Sequence, residues 1–444
     1  MIVSFSVSNF RSFSSEETFS LVASNRLTGH ERHLADIPDS KEKVLRTGVL
    51  YGANGAGKSN LFKALRYVKE VALGRREKNG GTGREAFRFG EMENEPSTFD
   101  LQFIVESRLY RFGFKVDDRR VIEEWLAHVD GGRDRTLYER VTDGDGRVTV
   151  EAKGHKEGGE KLSALAEVGG PRNQSFLATI GATLDASEIG PELGAILAWF
   201  RRRLVLVGPG ESFAPIGHLL SSSPGLLDFA GDFLKDASTG VDHLEVTKQE
   251  IPDDELDRFT RILAALGETA EDGTAVAARG DGEEFLLEGK RYYRITVQSA
   301  HKDQNEKVTP FGLSEESDGT RRLLSLIPAL YHLQNSIGVY FIDEIDRSLH
   351  PILVWKFLEF FLRAGGRQII FTTHESNLLD LDLLRRDEIW FAEKDDKAAT
   401  HLYSLMDFKV RNDLEIRKHY LQGRFGAIPF LGNLDRLIEK GQPV

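Results

Sequence analysis

The spacing of apolar residues near the start of the chain predicts a strand, a glycine-rich loop and a helix, in that order. Apolar and polar side chains alternate over residues 2–10, which is the period of a β-strand. After a long loop, the apolar run 49–51 predicts a short buried strand that leads into several glycines. Over 60–73 the apolar residues recur at helical spacing, and Gly74 follows as a stop signal.

Farther along the chain, the patterns predict an antiparallel hairpin and then a parallel sheet. Segments 99–105 and 110–116 both alternate with period two and are separated by a tight turn, as in a hairpin. In the last third, apolar strands at 337–342 and 368–371 flank a helix at 351–362, and this alternation implies a mostly parallel sheet. Two more strands are expected at 388–391 and 401–405.

The middle of the chain is predicted to hold helices and exposed loops. Segments 131–160 and 271–284 are rich in glycine and charged residues and poor in large apolar ones, so we expect loops there. Helical patterns lie between them, most clearly at 256–266. The sequence shows no internal repeat and no sustained heptad pattern.

The composition indicates a globular protein of a reducing compartment. Of the 444 residues, 40% are hydrophobic and 29% are charged, and the length favours two or three domains. The absence of cysteine excludes disulfides, cysteine-bound metals and thiol catalysis. No apolar run approaches the ~18 residues of a membrane helix, so we expect a cytoplasmic protein without membrane contact. The net charge of −12 opposes sequence-blind wrapping of nucleic acid but leaves room for a local basic groove.

The segment Gly52-Ala-Asn-Gly-Ala-Gly-Lys-Ser59 fits the phosphate-binding pattern G-x-x-x-x-G-K-[ST]. It lies between a predicted strand and a predicted helix, which is the context that the pattern requires. Its backbone N–H groups can surround phosphate, its lysine supplies a cation and its serine hydroxyl can reach Mg²⁺. The predicted ATP-binding residues are Asn54, Gly55, Ala56, Gly57, Lys58, Ser59 and Asn60.

A second group of candidate residues follows the predicted strand 337–342. Asp343 and Glu344 lie at its carboxyl end, where open α/β sheets bind their ligands. We expect Asp343, with Ser59, to hold Mg²⁺ and Glu344 to orient or deprotonate the attacking water. Taken alone, such a pair is more often a solvated strand end, and the upstream glycine loop is what favours catalysis.

Two other candidates have weaker patterns. His374 follows the strand 368–371 and is predicted to contact the γ-phosphate or the attacking water, although an isolated histidine at a strand end is usually structural. Ser317 precedes an apolar helical run and is predicted to cap a helix whose N-terminus attracts an anion.

Together these segments resemble the ATP-binding-cassette (ABC) ATPases, in the branch of SMC, RecF and OLD-type enzymes. The resemblance implies an α/β P-loop NTPase of ABC/RecF-like type with an N-terminal antiparallel β subdomain. It also implies a head-to-tail homodimer, or a higher assembly, in which Ser317 and Gly319 of one subunit meet the phosphates held by Lys58 of the other. Segment 9–13 matches the N-terminal signature of that branch, and Glu344–His350 the D-loop.

The sequence departs from the ABC pattern in three places. Glu316–Thr320 replaces the Leu-Ser-Gly-Gly-Gln of transporters, and His350 stands where an aspartate is usual. We cannot assign the Q-loop glutamine, because Gln102 falls in the predicted hairpin and is better explained as a strand residue. The Ser317 motif, together with a large insertion between the two ATPase halves, disfavours a transporter cassette.

The chain is also similar to AAA-labelled, RecF-like ATPases of bacterial phage-defence operons, such as the first component of the abortive-infection AbiL pair. The shared segments are 316–321, 343–351 and the tail 420–429. The resemblance implies a partner effector, an RloB-type protein with a Toprim-like nuclease fold. The tail is explained equally well by docking to this partner or by an ordinary helix end at Gly423.

The predicted domain order is 1–126 for the first ATPase half, 127–300 for an inserted, mainly helical arm or lid, and 301–444 for the second half. Arg201–Arg203 is the densest basic cluster of the insertion and is therefore a candidate contact for DNA. Such clusters more often face solvent or pair with carboxylates. The alternative function is a RecF-like repair ATPase for which DNA is the partner.

Overall fold

The computed structural model divides into two compact units that interleave along the chain. The first unit is Met1–Leu206, Ile337–Ile345 and Gly365–Val444, and the second is Val207–Ser336 and Asp346–Ala364. The structure describes residues 1–74, 77, 80–131, 133–152, 159–211, 215–252, 255, 275–277, 283–288, 291–331, 338–365, 367–409 and 415–428.

Strands and helices alternate along the described residues. The strands are β1 Ile2–Ser8, β2 Glu17–Ser20, β3 Leu34–Asp36, β4 Lys43–Leu45, β5 Thr47–Tyr51, β6 Ser97–Val105, β7 Arg108–Val116, β8 Val121–Asp130, β9 Arg133–Thr142, β10 Val148–Ala152, β11 Leu204–Val207, β12 Val241–Glu250, β13 Ala275–Ala277, β14 Glu283–Glu288, β15 Arg291–Lys302, β16 Val308–Gly312, β17 Val339–Ile342, β18 Gln368–Thr372, β19 Ile389–Lys394 and β20 Thr400–Ser404. The helices are α1 Lys58–Leu73, α2 Gly159–Val168, α3 Phe176–Thr183, α4 Ala186–Ile189, α5 Pro191–Ala198, α6 Ile216–Ser222, α7 Pro224–Asp236, α8 Asp318–Tyr331, α9 Pro351–Ala364 and α10 Ile416–Leu421.

A six-stranded sheet in the first unit carries most of the candidate site. Its strand order is β11-β17-β18-β5-β19-β20, and its four central strands are parallel. Every residue of β5, β17 and β18 is buried, because parallel strands are covered on both faces. Helix α1 packs on this sheet, with the rings of Phe62 and Phe341 5.3 Å apart.

The first unit also contains a seven-stranded antiparallel sheet, in the order β10-β9-β8-β7-β6-β1-β2. The buried amide of Gln368 connects it to the parallel sheet. Its Oε1 accepts from the N–H of Ile2 at 2.6 Å, and its Nε2 donates to the carbonyl of Leu45 at 2.8 Å. One side chain of β18 therefore fixes the position of the first strand.

The second unit has its own sheet and core. Strands β12, β15, β14 and β13 are neighbours in that order, and β16 pairs with β15. Apolar side chains of α6, α7 and α8 pack with those of β12 and β15, including Leu220, Leu234, Val297 and Leu324. This core positions the N-terminus of α8, where Ser317 lies.

The structure confirms the predicted fold class: an α/β chain with a glycine loop between β5 and α1 and an antiparallel N-terminal sheet. Strand β1, helix α1, the β6–β7 hairpin and strands β17 to β20 lie within a few residues of their predicted positions. Among the described residues, no helix is both long enough and apolar enough to span a membrane.

Two loop predictions were wrong. Residues 131–160 contain β9 and β10, and the long loop between β1 and β5 contains β2, β3 and β4. Strand β9 has an unusually polar sequence: Asp134, Arg135 and Glu139 are exposed, and Arg140 is buried, with its guanidinium donating to the carbonyls of Val121 and Pro171. A count of large apolar residues cannot detect such a strand.

The middle of the chain, predicted to be mainly helical, contains helices α2 to α7 together with strands β9 to β15. The helix predicted at 256–266 lies outside the described residues. Of the loop predicted at 271–284, the described residues form β13 and the start of β14.

Candidate active site

The glycine loop has a backbone shape that side chains would prevent. Gly55 and Gly57 have φ angles of +79° and +111°, which let successive N–H groups turn towards one point. A Cβ atom at Gly52 would lie 2.5 Å from the carbonyl oxygen of Ala392, and one at Gly57 would lie 2.2 Å from Oγ1 of Thr400. The first and last glycines are therefore required by packing, in addition to any contact with phosphate.

A chain of hydroxyl groups holds the loop from outside the motif. Oγ1 of Thr400 lies 2.8 Å from the carbonyl oxygen of Ala56 and 2.8 Å from Oγ of Ser12, which accepts from Nδ2 of Asn60 at 2.7 Å. The hydroxyl of Thr400 is the donor to both oxygens, so its single proton is shared between Oγ of Ser12 and the carbonyl of Ala56. The sequence motif gave no sign of Thr400, which is distant in sequence and follows an ordinary turn.

Segment 9–13 has a structural role beside this loop. Nδ2 of Asn9 donates to the carbonyls of Met92 and Glu95, and its Oδ1 accepts from the N–H of Phe87 at 3.1 Å. Asn9 therefore fixes the position of the segment that precedes β6. Within segment 9–13, Ser12 is the residue that contacts Asn60 of α1 and Thr400 of β20.

Lys58 is the first residue of α1 and is 5% exposed. Its Nζ donates to the carbonyls of Gly52 at 2.8 Å and Ala53 at 3.1 Å, so the ammonium lies across the loop. Ser59 and Asn60 follow in the first turn of α1, whose N-terminus attracts anions. The loop, the ammonium and the helix end form one cradle for phosphate.

Asp343 and Glu344 leave β17 at the same sheet edge. Asp343 is 1% exposed, and its Oδ1 accepts from Oγ1 of Thr372 at 2.6 Å. The same Oγ1 accepts from the N–H of Glu344 at 2.8 Å, and Glu344 has a φ of +51°. Because Ile342 pairs with Phe371 in the parallel register, Asp343 and Thr372 emerge side by side.

The phosphate cradle and the acidic pair lie at the carboxyl ends of β5 and β17, two parallel strands of one sheet that are separated by a single strand. Strand β18 lies between β17 and β5, and the N–H of Thr373 donates to the carbonyl of Leu50 at 3.2 Å. With strands ~4.8 Å apart, the ends of β5 and β17 are separated by roughly 10 Å. His374 is exposed and follows the middle strand, so it leaves the sheet between the two groups.

Ser317 and Gly319 belong to the second unit. Oγ of Ser317 accepts from the N–H of Thr320 at 3.1 Å, which confirms the predicted cap of α8. A Cβ atom at Gly319 would lie 2.9 Å from the carbonyl oxygen of Ser348, so the motif packs closely on the D-loop segment. The structure therefore places these residues together at one helix end, apart in sequence from the cradle and the acidic pair.

Glu316, next to Ser317, is held by two residues of β15. Its Oε1 accepts from Oγ of Ser299 and lies 2.6 Å from Nε2 of His301. Burial raises the pKa of this carboxyl, but the hydrogen bonds from Ser299 and His301 outweigh it, so the net pKa lies below the ordinary value. The start of the motif is thus anchored to the sheet of the second unit by a carboxylate.

The oxygen donors of the first unit fit Mg²⁺. Asp343 offers a carboxylate and Ser59 a hydroxyl, which are hard ligands of the kind that Mg²⁺ takes together with substrate phosphates and water. Among the described residues, no group of three or more His, Asp or Glu forms a complete metal site. The arrangement suits a cation shared between the protein and a nucleotide.

The remaining candidates have local structural explanations. Gln102 lies on β6 opposite Ser4, as expected of a strand residue. Arg201 belongs to the π-helical turn Trp199–Arg203 and donates to the carbonyl of Gly181 at 3.0 Å. In the tail, Gly423 has a φ of +78° just after α10.

The described part of the tail packs on the parallel sheet. The ring of Tyr420 stacks on Phe391 at 5.7 Å, and its hydroxyl donates to the carbonyl of Ala427 at 3.1 Å. Pro429, at the end of the predicted motif, lies outside the described residues.

Comparison of the sequence with known protein families gives a match that covers both the phosphate cradle and the acidic pair. Residues 49–380 match the family described as "AAA domain, putative AbiEii toxin, Type IV TA system". The chain belongs to this family. Its shared region begins at β5 and includes the glycine loop, the Ser317 motif, the acidic pair and His374. No curated protein matches the chain.

The solved structures that are similar to this chain include SMC head domains. The SMC head domain from Thermotoga maritima is 13% identical, with a TM-score of 0.38, over 92% of this chain and 99% of that one. An SmcHead bound to the C-winged helix domain of ScpA is 16% identical, with a TM-score of 0.38, over 91% and 97% of the two chains. An Smc head with an extended coiled coil, bound to the C-terminal domain of ScpA derived from Pyrococcus furiosus, is 12% identical, with a TM-score of 0.37, over 91% and 96%.

Proposed function

We propose that this protein is an Mg²⁺-dependent ATPase that dimerises on ATP and controls a partner effector in bacterial anti-phage defence. One observation carries the enzymatic part: the phosphate cradle and an Asp-Glu pair lie at the same edge of one parallel sheet, at the carboxyl ends of two strands that are separated by a single strand. The family match, which names a toxin–antitoxin system, supports the defence role.

In the proposed reaction, the glycine loop binds and orients the phosphates. Backbone N–H groups of 54–60 donate to phosphate oxygens, and the ammonium of Lys58 stabilises the charge that develops on the transferred phosphoryl group. The packing of Gly52 and Gly57 keeps these groups in place before ATP arrives. Preorganisation of this kind lowers the cost of reaching the transition state.

Residues at the ends of β17 and β18 act on the other side of the γ-phosphate. Bound Mg²⁺ would neutralise charge on the phosphates, and Asp343 and Ser59 are the residues that would hold it. Glu344 accepts a proton from the attacking water or orients it, and His374 donates a hydrogen bond to the γ-phosphate or to that water. Asp343 and Glu344 perform different tasks although they are neighbours in sequence.

The dimer and the effector extend this proposal beyond one chain. In a head-to-tail pair, the helix end at Ser317 and Gly319 of one subunit faces the γ-phosphate bound by the other, and it supplies N–H donors without a further lysine. Hydrolysis separates the subunits. We propose that an RloB-type, Toprim-like nuclease senses this change.

The proposal is tested with two substitutions in the first unit. Lys58→Ala removes the ammonium, so we expect ATP binding to be lost and turnover to fall by roughly 10²–10³-fold. Glu344→Gln keeps the shape but removes the base, so we expect ATP to bind with near-normal affinity while turnover falls by a similar factor. Steady-state phosphate release and equilibrium titration with ATP distinguish the two effects. Normal turnover in Glu344→Gln would remove this residue from its proposed role.

The alternative, a RecF-like repair ATPase, predicts a different ligand. ATP-stimulated DNA binding that weakens steeply with salt would favour it. ATP-dependent control of a co-expressed Toprim-like protein would favour the effector role.

A further inference from the structure

The hydroxyl group of Thr372 touches both residues of the acidic pair. It donates its proton to Oδ1 of Asp343 at 2.6 Å and accepts from the N–H of Glu344 at 2.8 Å. Thr372 is fully buried on β18, so water does not compete for either bond. One side chain of the middle strand therefore fixes the carboxylate of Asp343 and the backbone of Glu344 at the same time.

The backbone at Glu344 needs such support. Its φ of +51° lies in the left-handed region, which residues with a Cβ atom rarely adopt. The next N–H, of Ile345, donates to the carbonyl of Thr372 at 3.1 Å. Thr372 therefore holds the backbone N–H groups on both sides of the left-handed residue Glu344. These two bonds determine the direction in which the chain leaves β17.

We propose that Thr372 is a positioning residue that couples the magnesium-binding carboxylate to the catalytic base. This inference rests on the proposed ATPase function. A carboxylate whose one oxygen is held by a buried hydroxyl presents its other oxygen in a fixed orientation, and such supporting bonds affect metal affinity. A base acts only within hydrogen-bond reach of the proton that it removes, so the turn at Glu344 must also be held. Loss of the hydroxyl is therefore expected to impair both functions together.

The decisive variants remove or keep this hydroxyl at nearly constant shape. Thr372→Val deletes it, Thr372→Ala deletes it with less bulk, and Thr372→Ser retains it. Thr47→Val is the matched control, because Thr47 is equally buried on the adjacent β5 and its Oγ1 has no hydrogen-bond partner among the described residues. Thermal unfolding of each variant shows that it is folded.

The readouts separate positioning from a general loss of activity. Equilibrium binding of ATP is measured in EDTA and over a series of Mg²⁺ concentrations, and turnover is measured over the same series. For Thr372→Val and Thr372→Ala we expect unchanged binding in EDTA, a roughly tenfold increase in the Mg²⁺ concentration for half-maximal binding, and a 10–100-fold lower kcat. Thr372→Ser and Thr47→Val should match the wild type.

Several results would overturn the inference. If a folded hydroxyl-free variant keeps wild-type Mg²⁺ dependence and kcat, Thr372 has no positioning role. If Thr372→Ser loses as much kcat and Mg²⁺-dependent ATP binding as Thr372→Val, the effect comes from the shape of the side chain and not from its hydroxyl group, and the inference fails. If the wild type shows neither Mg²⁺-dependent ATP binding nor turnover, the proposed function itself is wrong and the inference falls with it.

Discussion

Single hydroxyl groups outside the glycine motif determine the shape of the phosphate cradle. Oγ of Ser12 accepts from Nδ2 of Asn60 and from the hydroxyl of Thr400, and the hydroxyl of Thr400 also donates to the carbonyl of Ala56. Both buried hydroxyl oxygens therefore have hydrogen-bond partners, as buried polar groups normally do. The cradle is thus supported by two residues that are 388 positions apart.

The contact between Gly57 and Thr400 gives a quantitative prediction. In Gly57→Ala, the new methyl group would lie 2.2 Å from Oγ1 of Thr400, and the alanine would have to adopt a φ of +111°. We therefore expect the free energy of unfolding to fall by roughly 3 kcal/mol and ATP binding to weaken by a similar amount. Gly55→Ala is the matched control, with a φ of +79° but no atom within 4 Å of the new methyl. It should cost only about 1–2 kcal/mol. Urea unfolding measures both.

A double-mutant cycle isolates the clash itself. Thr400→Ala removes Oγ1 and Cγ2, the two side-chain atoms nearest to the added methyl. Combined with Gly57→Ala, it should recover part of the loss and give a coupling energy of about 1 kcal/mol or more. Strict additivity of the two substitutions would show that the methyl does not meet Thr400.

At the scale of strands and helices, buried carboxylates serve as helix caps. Glu124 of β8 accepts from the N–H groups of Phe176 and Leu177 at the start of α3. Glu284 of β14 does the same at α6, with the N–H groups of Gly217 and His218 at 2.9 and 2.7 Å. These caps come from remote strands, so a search for a capping residue next to each helix cannot find them.

Sequence patterns located the elements whose apolar spacing is strong, and they failed where polar groups are buried. The apolar runs of β5, β17 and β18 predicted the parallel sheet correctly, because strands that are covered on both faces consist of consecutive apolar residues. Strand β9 was missed because its sequence is mostly polar, and this polar set includes exposed residues such as Glu139 as well as the buried Arg140, which donates to a carbonyl oxygen. Thr372 was missed for a related reason, because no pattern shows that its hydroxyl faces Asp343.

Two glutamates of the second unit, the partly buried Glu316 and the buried Glu284, should change stability with pH in opposite directions. Hydrogen bonds from Ser299 and His301 outweigh burial and lower the pKa of Glu316, so its ionised form stabilises the fold above the ordinary value of 4.5. This contribution is lost as the pH falls through the lowered pKa. We expect Glu316→Gln to cost roughly 1–2 kcal/mol at pH 7 and progressively less below pH 4.5.

Glu284 provides the matched control with the reverse sign. Burial raises its pKa above 4.5 and outweighs the hydrogen bonds from Gly217 and His218. The wild type should therefore lose stability relative to Glu284→Gln as the pH rises from 4.5 through the raised pKa. Unfolding by urea from pH 3 to pH 8 measures both pairs. Parallel slopes for the two pairs would contradict the assignment of these shifts.

At the scale of the whole chain, the two compact units are interleaved in a way that the sequence did not reveal. The acidic pair ends a segment of the first unit at Ile345, and the second unit resumes at Asp346. The three contiguous domains that we predicted from the sequence, 1–126, 127–300 and 301–444, stay a prediction. Because the chain changes units directly after the acidic pair, Glu344 is linked through a short stretch of backbone to the unit that carries Ser317.

This continuity leads to a prediction about assembly. In Glu344→Gln, which should bind ATP without cleaving it, Mg²⁺-ATP is expected to shift the protein from 49.8 kDa to about twice that mass. Ser317→Arg in the same background places a long cation at the proposed interface, so we expect normal ATP binding but no dimer. Sedimentation velocity with and without ATP measures both states.

Ser314→Arg is the control for the added charge, because Ser314 is exposed in the same loop and lies outside the Ser317 cap. It should dimerise like its parent, since the donors at the start of α8 remain in place. A Glu344→Gln protein that stays monomeric while saturated with ATP would contradict the head-to-tail arrangement. Equal dimerisation of the Ser317→Arg protein would place the interface elsewhere, because a side chain of that length cannot lie between a helix end and a bound triphosphate without separating them.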